Sequence, residues 1–305
     1  MKKVLSALLL LVFTTALCAC GDPTPEAPKV EYTAEALAVL SDLDKNITVS
    51  PDAVNITLAD GASTASGAGV EIEGDKITVT HAGTYVFSGT LSNGQIAVKA
   101  DKLHKVHLVF NGVWISNSET APLYIISADK VIVTLAEGSK NHLTDISRPP
   151  ISTDDEEGED NINACVYAAD DLTFNGLGEL TVEASNNGIG GKNDIRICGG
   201  TYAINAANNG IKGKDSVILA AGTISVVAGK DGVKSDNIEE VERGYVHICG
   251  GTVSIQASDD GIQAVTRLTI DAGLVTVNAT DDATNCDGTV SIKEGCLTDA
   301  NKASE

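Results

Sequence analysis

Aromatic residues are scarce in this chain, making up 4% of its 305 residues with a single tryptophan, Trp114. So few rings offer little for the flat stacking platform with which a protein would hold a crystalline polysaccharide. Trp114 stands in the run NGVWISNS, where we expect it to flank the core. A soluble, acidic polymer is the better match to this composition than a crystalline one.

Basic residues are also few, since 21 lysines and arginines stand against 42 aspartates and glutamates, for a net charge of −21. Such an acidic surface repels nucleic acid and anionic membrane, and neither is expected as a partner. It suits a site that handles divalent cations. We expect the protein to act as a monomer.

Long apolar runs are absent except at the N-terminus. Lys2 and Lys3 precede the run VLSALLLLVF, and LCAC follows it. This pattern resembles a bacterial lipoprotein signal peptide over residues 1–19, with Cys20 as the lipid acceptor. An ordinary secretory signal is the alternative. We expect a tether and N-terminal cap region over residues 20–45, and a protein outside the cytoplasm that contacts the bacterial membrane only through its lipid.

The cysteines form no disulfide or metal-binding framework. Cys198 and Cys249 share one position of the pattern described below, but Ala220 lies on the strand between them. Two strand spacings amount to about 9.6 Å, which exceeds the limit of roughly 7 Å for bridged Cα atoms. Cys165, Cys286 and Cys296 lack metal-ligand spacing, so zinc is disfavoured.

A glycine recurs in a fixed context in the second half of the chain. The segments read ASNNGIGGKN at 184–193, AANNGIKGKD at 206–215, AGKDGVKSDN at 228–237 and ASDDGIQAVT at 257–266. The glycines are spaced by 22, 22 and 29 residues, and the longer interval contains the insert NIEEVER. This spacing predicts an internal repeat of about 22 residues.

Each repeat contains runs of alternating apolar and polar residues, such as VHICGGTVSIQA, which end in glycine or Asn-Gly turns. No run has the helical periodicity that a βαβ crossover needs. We therefore predict an all-β fold, a parallel β-helix (β-solenoid) with rungs of about 22 residues over residues 46–298, followed by a polar tail at 299–305. A β-sandwich is the alternative, but sandwiches keep no fixed residue period. The predicted core column is Phe87, Phe110, Leu135, Phe174, Ile197, Leu219, Ile248, Ile270 and Ile292.

Carboxylates accumulate next to the recurring glycines. The residue before the glycine is Asn187, Asn209, Asp231 and then Asp260, and Asp282 occupies the next position. Two carboxylates stacked about 4.8 Å apart repel by roughly 3 kcal/mol at an effective dielectric constant of about 20. A proton, a lysine or a bound cation would relieve this repulsion. Calcium accepts carboxylate and carbonyl oxygens in irregular geometry, so we predict Ca²⁺ as a cofactor. The candidate ligands are Asp231, Asp236, Asp259, Asp260, Asp281, Asp282 and Asp287.

Two alternatives stay open for these charged positions. In the first, the Asp-Gly pairs are present only because they make good turns, and the acids point into water. Lys212, Lys214 and Lys234 stand in the same repeats and either pair with the acids or line a groove that contacts the carboxylates of an acidic sugar polymer.

The chain also resembles a known family over about residues 75–285. The similarity is to a bacterial carbohydrate-binding family first catalogued as a domain of unknown function. It is carried by the block from DDLTFNGLGELTV to DDGIQAVTRLTIDAG and by three earlier segments, YVFSGTLSNGQIAVKA, HLVFNGVWISNSETAPLYI and VIVTLAEGSKNHLTD. The resemblance implies a right-handed parallel β-helix, bound calcium and binding of cellulose-like or acidic plant polysaccharide. It also implies a likeness to polysaccharide lyases without established catalysis. Asp231-Gly232 and Asp260-Gly261 match the family's DGI positions, whereas Asn187, Asn209 and the glycine-free DDATNCDG depart from them.

Three functions are compatible with these features. The expected one is a surface-anchored lipoprotein that binds polysaccharide and is stiffened by calcium. The first alternative is a calcium-assisted polysaccharide lyase, in which Lys212 or Lys234 would remove a proton. The second is a structural surface protein or adhesin without a sugar ligand.

Overall fold

A computed structural model describes residues 29–149 and 161–302. The predicted signal peptide, Cys20 and the acidic run at 153–160 therefore lie outside the described residues. Within residues 29–149 and 161–302, no helix is both long and apolar enough to cross a membrane.

Two short helices precede a long series of strands. The helices are α1 (Ala34–Val39) and α2 (Asp42–Lys45). The strands of the N-terminal half are β1 (Val54–Leu58), β2 (Thr64–Ala65), β3 (Val70–Glu73), β4 (Lys76–Val79), β5 (Gly83–Leu91), β6 (Gln95–Lys99), β7 (Lys105–Ser116), β8 (Leu123–Ser127), β9 (Lys130–Leu135) and β10 (Lys140–Thr144). Those of the C-terminal half are β11 (Ala164–Ala168), β12 (Asp171–Gly176), β13 (Glu179–Ala184), β14 (Asn187–Gly191), β15 (Asp194–Ala206), β16 (Ile211–Gly213), β17 (Ser216–Ala228), β18 (Val233–Ser235), β19 (Tyr245–Ala257), β20 (Ile262–Ala264), β21 (Arg267–Ala279), β22 (Thr284–Cys286), β23 (Thr289–Ile292) and β24 (Leu297–Asp299).

The strands divide between two sheets. One has 14 strands and contains the long strands, and the other has 10 strands in the order β22-β20-β18-β16-β14-β11-β8-β6-β4-β3. Pairing is parallel except for β1 with β2 and β3 with β4. In the C-terminal half, strands pair at the predicted offsets: Ile197 lies opposite Leu219, and Leu219 opposite Ile248. The predicted core column is in register at every step but one, because Phe174 pairs with Val133 and not with Leu135.

The architecture corrects the predicted fold class. The all-β class is confirmed, but the right-handed parallel β-helix of uniform rungs is wrong. In the larger sheet, β7, β10, β13, β15, β12 and β9 pair in turn and close into a six-stranded parallel barrel, and the 10-stranded sheet lies beside this closed ring.

The length of two strands explains the closure. β7 has 12 residues and β15 has 13, so each pairs with one neighbour along its first half and with another along its second half. The residue period predicts the offset at which strands stack. It does not show that one long strand pairs with two different neighbours along its two halves. For this reason the closed ring was not predicted.

Glycines allow the long strands to bend between their halves. Gly200 and Gly222 have φ values of 88° and 102°, in the region that disfavours side chains. A Cβ atom added at Gly222 would lie 2.6 Å from the carbonyl oxygen of Gly200. Glycine is therefore required at these two positions both for the bend and for the close stacking of one strand on the next.

The core lies between the sheets and holds most of the large apolar side chains. Phe87, Phe110, Phe174 and Tyr202 are fully buried there, and Phe87 packs edge-on against Phe110 with ring centroids 6.2 Å apart. The long strands β15, β17, β19 and β21 alternate buried and exposed residues along their second halves. There one face of each strand points to the core and the other is exposed.

The N-terminal segment crosses the first halves of the long strands. Ala36 and Leu40 cover Cys198, Ile218 and Cys249. Asp44 is 2% exposed and accepts hydrogen bonds from Lys130 Nζ at 2.5 Å and Thr173 Oγ1 at 2.8 Å. Burial alone would raise the pKa of Asp44, but Lys130, Ser41 and Thr173 lower it to about 2. This face of the sheet is thereby closed to ligands.

Candidate functional site

Three aspartates converge at the turns that lead into β18 and β20. Asp231, Asp259 and Asp260 each place a carboxylate oxygen within 4.8 Å of the others. Asp231 and Asp260 are buried, with exposures of 1% and 3%, whereas Asp259 is exposed. Among residues 29–149 and 161–302, these three carboxylates form the one group of at least three side chains that lie close enough together to hold a metal ion. We call Asp231, Asp259 and Asp260, with the nearby Lys234, the acidic corner.

A ladder of side-chain acceptors explains why these positions hold Asn or Asp. Each Oδ1 accepts a hydrogen bond from the backbone N–H of the equivalent residue on the next strand. The pairs are Asn187 with Asn209 (3.1 Å), Asn209 with Asp231 (3.2 Å), Asp231 with Asp260 (3.2 Å) and Asp260 with Asp282 (3.2 Å). Both residue types supply the required oxygen. Only aspartate adds a second, charged oxygen that needs another partner.

The second oxygens of the ladder have unequal partners. Lys234 Nζ donates to Asp231 Oδ2 at 2.9 Å, and Asn285 Nδ2 donates to Asp260 Oδ2 at 2.7 Å. The negative charge of Asp231 raises the pKa of Asp259, and slight burial and the charges of Asp260 and Asp281 raise it further. The acidic corner therefore carries more negative charge than Lys234 balances.

The remaining candidate ligands do not join this cluster. Asp236 pairs with Lys212 at 2.8 Å, at the opposite end of β18. The backbone N–H of Asp281 donates to the carbonyl oxygen of Asp259 at 3.2 Å, and the charge of Asp281 raises the pKa of Asp259. Asp282 contributes its backbone N–H to the ladder. The backbone N–H of Asp287 donates to Ala264 at 3.4 Å.

A second group of acids lies at the other end of the short strands, where each leads into a long strand. Arg196 Nη2 donates to Asp194 Oδ2 at 2.7 Å and Arg196 Nη1 lies 3.7 Å from Asp171 Oδ2. Arg243, from the insert, lies 3.0 Å from Asp215 Oδ2. We call these five residues the arginine corner. Here the chain itself supplies the cations.

A cleft of about 420 Å³ opens on the outward face of the smaller sheet. Gly190 and Gly191 are among its lining residues, and Lys192, Lys212 and Lys214 bring amino groups. Two further groups of lining residues are Asn161, Asn163 and Tyr167 on one side and Asp236, Ile238 and Glu239 on the other. The volume is within the range of about 300–1,000 Å³ that is typical of ligand sites.

The three predicted lysines are thus divided between two places. Lys212 and Lys214 line the cleft, where they lie 2.8 Å from Asp236 and 3.3 Å from Glu239 respectively. Lys234 is in register with Lys212 on the next strand, but its amino group turns to Asp231. Lys234 therefore connects the cleft side of the sheet with the acidic corner.

Sequence reasoning missed the residues at the other end of the cleft. Tyr124, Tyr167, Gly190 and Lys212 occupy successive positions of one outward column. Burial, and to a lesser degree Tyr124, raises the pKa of Tyr167 to about 12, so this hydroxyl stays protonated. The signal was the alignment of CVYAADD with GIGGKND, which places Tyr167 one repeat before Gly190.

Trp114 corrects a second expectation, since its side chain does not flank the core. It is 53% exposed and stacks on His142 with ring centroids 4.3 Å apart and an angle of 7° between the planes. His142 Nε2 lies 3.3 Å from Glu183 Oε2. The two rings form a small exposed platform on the larger sheet.

Comparisons with known proteins define the class to which this chain belongs. A family profile described as carbohydrate-binding domain-containing protein matches residues 73–304. A carbohydrate-binding domain-containing protein of Acetivibrio thermocellus is 42% identical over 298 residues, which are 97% of this chain and 97% of that protein. The chain therefore belongs to this carbohydrate-binding family, as the sequence predicted.

A solved structure supplies the second comparison. The polysaccharide lyase-like protein from C. thermocellum, determined as a gadolinium derivative, has a TM-score of 0.75 with this chain at 41% identity. The match covers 80% of this chain and 98% of that one. This chain accordingly has a polysaccharide lyase-like structure.

Proposed function

We propose that the protein binds carboxylate-bearing polysaccharides in the cleft of the smaller sheet and that calcium at the acidic corner stiffens the adjoining strands. The observation that carries this proposal is the cleft itself. Its three lysines carry three positive charges and Asp236 and Glu239 carry two negative ones, so the lining has a net charge of +1. The chain as a whole has a net charge of −21. A uronate polymer is an extended anion that such a cleft attracts against the field of the whole protein.

The shape of the cleft supports an extended ligand. Its outward column passes from Tyr167 over Gly190 to Lys212 and Lys234 in steps of one strand. Each step is about 4.8 Å, close to the length of one pyranose unit in an extended chain. Gly190 lines the middle of this path without a side chain, between the tyrosine and the lysines.

Calcium suits the donor set of the acidic corner. Asp231, Asp259 and Asp260 would hold the ion, since carboxylate oxygens are the ligands that calcium prefers. The bound ion would supply the positive charge that Lys234 alone does not provide. The gadolinium derivative of the related structure adds support for the ligand class, because gadolinium is also a hard cation that binds oxygen.

Binding to polygalacturonate tests the proposed function of the cleft. We expect Lys212→Gln and Lys214→Gln each to weaken binding about tenfold, the usual loss for one charge-assisted hydrogen bond. Lys99→Gln, an exposed lysine of β6, is the matched control and should bind like the wild type. Unchanged binding by both cleft variants would refute the proposal.

The same assay separates the alternative functions. Ultraviolet absorbance of an unsaturated product would make the protein a lyase, the class of enzyme that the solved relative resembles. Absence of both retention and product would favour a surface protein without a sugar ligand. Calcium and chelator are compared in every assay, with thermal unfolding as a readout that does not depend on sugar.

We also propose that Cys20 carries the lipid and holds the protein to the bacterial membrane, at the cell surface or in the periplasm. The signal-like run before Cys20 supports this proposal. Radiolabelled fatty acid should enter the wild-type protein and not a Cys20→Ala variant. Equal labelling of the two would exclude Cys20 as the acceptor.

A further inference from the structure

The N-terminal segment over residues 30–46, which we call the strap, is attached to the larger sheet through side chains. Tyr32 Oη donates to the carbonyl oxygen of Cys198 at 2.8 Å, and Thr33 Oγ1 donates to that of Cys249. In the described part of the chain, no backbone-to-backbone hydrogen bond joins the strap to a strand. The strap can therefore leave the sheet without breaking any strand pair.

The apolar contacts of the strap are also separate from the main core. Ala36 and Leu40 pack in a small cluster with Cys198, Ile218 and Cys249, and this cluster shares no residue with the core between the sheets. Undocking of the strap exposes the small cluster and leaves the large core intact. Such a segment opens locally, at a lower free energy than the unfolding of the whole protein.

Two thiols lie beneath the docked strap. Cys198 and Cys249 are both 0% exposed, and burial raises the pKa of each thiol. They therefore stay protonated and unreactive while the strap is in place. Cys165 is also 0% exposed, but it belongs to the core between the sheets. Opening of the strap uncovers the first two thiols and leaves the third one buried.

We propose that the strap is a redox-sensitive latch: when it undocks, Cys198 and Cys249 react with a low-molecular-weight disulfide, and the adducts hold the strap open. In this exchange the thiol loses its proton to solvent, and the thiolate sulfur forms a bond to one sulfur of the disulfide. The bond between the two sulfurs of the disulfide breaks, and the second sulfur leaves with the electron pair as a thiolate. The added group fills the space in which Ala36 and Leu40 pack, so the strap docks again only after a reducing thiol has reversed the exchange.

Opening of the strap lengthens the connection between Cys20 and the first strand. The docked strap reaches from β9, where Lys130 contacts Asp44, to the residue after β23, where Lys293 Nζ lies 3.4 Å from Glu35 Oε1. Once released, its 17 residues span up to roughly 60 Å. This consequence rests on the proposed attachment at Cys20, whereas the latch itself does not. The latch is likewise independent of the cleft, so its failure would leave the proposed function unaffected.

The rate of labelling by N-ethylmaleimide in the full-length chain tests the opening of the strap, with mass spectrometry of peptides assigning each labelled cysteine. In native buffer we expect Cys198 and Cys249 to react at least about tenfold faster than Cys165, because local opening precedes global unfolding. Leu40→Ala removes a buried side chain of the strap and should accelerate labelling of Cys198 and Cys249 at least about tenfold. Leu37→Ala is the matched control, since Leu37 is 51% exposed, and it should react like the wild type.

Two outcomes of the labelling experiment would overturn the proposal. Equal rates at Cys165, Cys198 and Cys249 would mean that all three thiols are reached only by unfolding of the whole protein. Equal rates in Leu37→Ala and Leu40→Ala would mean that the strap does not control access. If Leu40→Ala does not fold, Tyr32→Phe replaces it; this variant loses one hydrogen bond and should accelerate labelling about fivefold.

Trypsin cleavage after Lys45, in the second helix of the strap, tests whether the adducts hold the strap open. Incubation with oxidised glutathione should accelerate this cleavage at least about tenfold, and dithiothreitol should restore the original rate. A variant that combines Cys198→Ala with Cys249→Ala should be cleaved at one rate with and without oxidised glutathione. Ala220 in the same cluster shows that alanine fits there. Unchanged cleavage of the glutathione-modified wild type, or faster cleavage of the double variant in oxidised glutathione, would contradict the latch.

Discussion

The two ends of the short strands β16 and β18 carry acids that are balanced in different ways. At the arginine corner, Arg196 and Arg243 lie 2.7–3.7 Å from Asp194, Asp171 and Asp215. At the acidic corner, Asp231, Asp259 and Asp260 share one contacting lysine among the described residues, Lys234. Two arginines face three aspartates at the first corner, whereas a single lysine faces three aspartates at the second, which leaves more room there for a cation from solution. The comparison indicates which acids maintain the fold and which are available to a metal.

The largest effect is expected from removing the built-in cation of the arginine corner. Arg196→Gln leaves buried Asp194 without its closest cationic partner, so the free energy of unfolding should fall by about 3 kcal/mol. Urea denaturation measures this loss, and calcium should not restore it. Arg267→Gln removes an exposed arginine that lies over the Tyr245 ring and should cost less than about 1 kcal/mol. Equal losses in the two variants would show that the arginine corner is not a buried ion-pair network.

Calcium should act on the acidic corner alone. At a calcium concentration of about 100 Kd, the wild type should gain about 2.7 kcal/mol in free energy of unfolding over the chelated protein. Asp231→Asn keeps the Oδ1 acceptor of the ladder but should lose most of this gain, whereas Asp215→Asn should keep it. Thermal unfolding with and without chelator provides the test. A calcium response that survives Asp231→Asn would place the ion elsewhere.

Extending the acidic corner by one strand should make the chain more dependent on calcium. Asn209→Asp replaces the amide that donates to Asn187 Oδ1 at 2.9 Å and adds a carboxylate next to Asp231. In chelator we expect a loss of about 2 kcal/mol, part of which calcium recovers. Asn209→Ala also removes the amide but adds no charge, so its loss should be independent of calcium. If calcium has the same effect on both variants, added charge at this position does not recruit the ion.

The smallest effect is expected at Asp259. Asp231 and its neighbours raise the pKa of this carboxyl in the folded protein, so the folded state binds its proton more tightly than the unfolded state. In chelator, stability should therefore rise as the pH falls from neutral toward the unfolded pKa of Asp, and be lost again as the pH rises. Asp259→Asn should gain less than about 1 kcal/mol at neutral pH and flatten this dependence, because the residue is exposed. A steeper pH dependence in the variant would contradict this origin.

The residues that sequence predicted well are those placed by the repeat. Asp231 and Asp260 precede glycines that recur at a fixed interval, so their stacking followed from register alone. The same holds for Lys212 and Lys234, which pair as neighbours on β16 and β18. The apolar column from Phe87 to Ile270 was predicted for the same reason, since each core position repeats with the strand. The prediction is wrong for its last member, Ile292, which keeps the register but is 37% exposed on the last strands of the sheet.

The residues that sequence placed poorly depend on contacts outside the repeat. Arg243 belongs to the insert, and nothing in its local pattern shows that it reaches Asp215. Lys130 contacts Asp44, which lies 86 positions away in the chain. Lys234 could turn toward the cleft or toward Asp231, and periodicity does not decide between them. The closed six-stranded ring likewise depends on the length of β7 and β15 and not on the repeat.

The Asn and Asp ladder gives the stack a direction of assembly. Every side-chain acceptor belongs to the earlier strand and every backbone donor to the later one, from Asn187 to Asp282. A chain that folds as it is synthesised from its N-terminus would therefore add each new turn to a surface on which the acceptor is already in place. At the far end, Asp282 presents a carboxylate where a further strand would dock, and a charge at such an edge discourages pairing with another molecule. The same side chain that guides growth of the sheet can thus also end it.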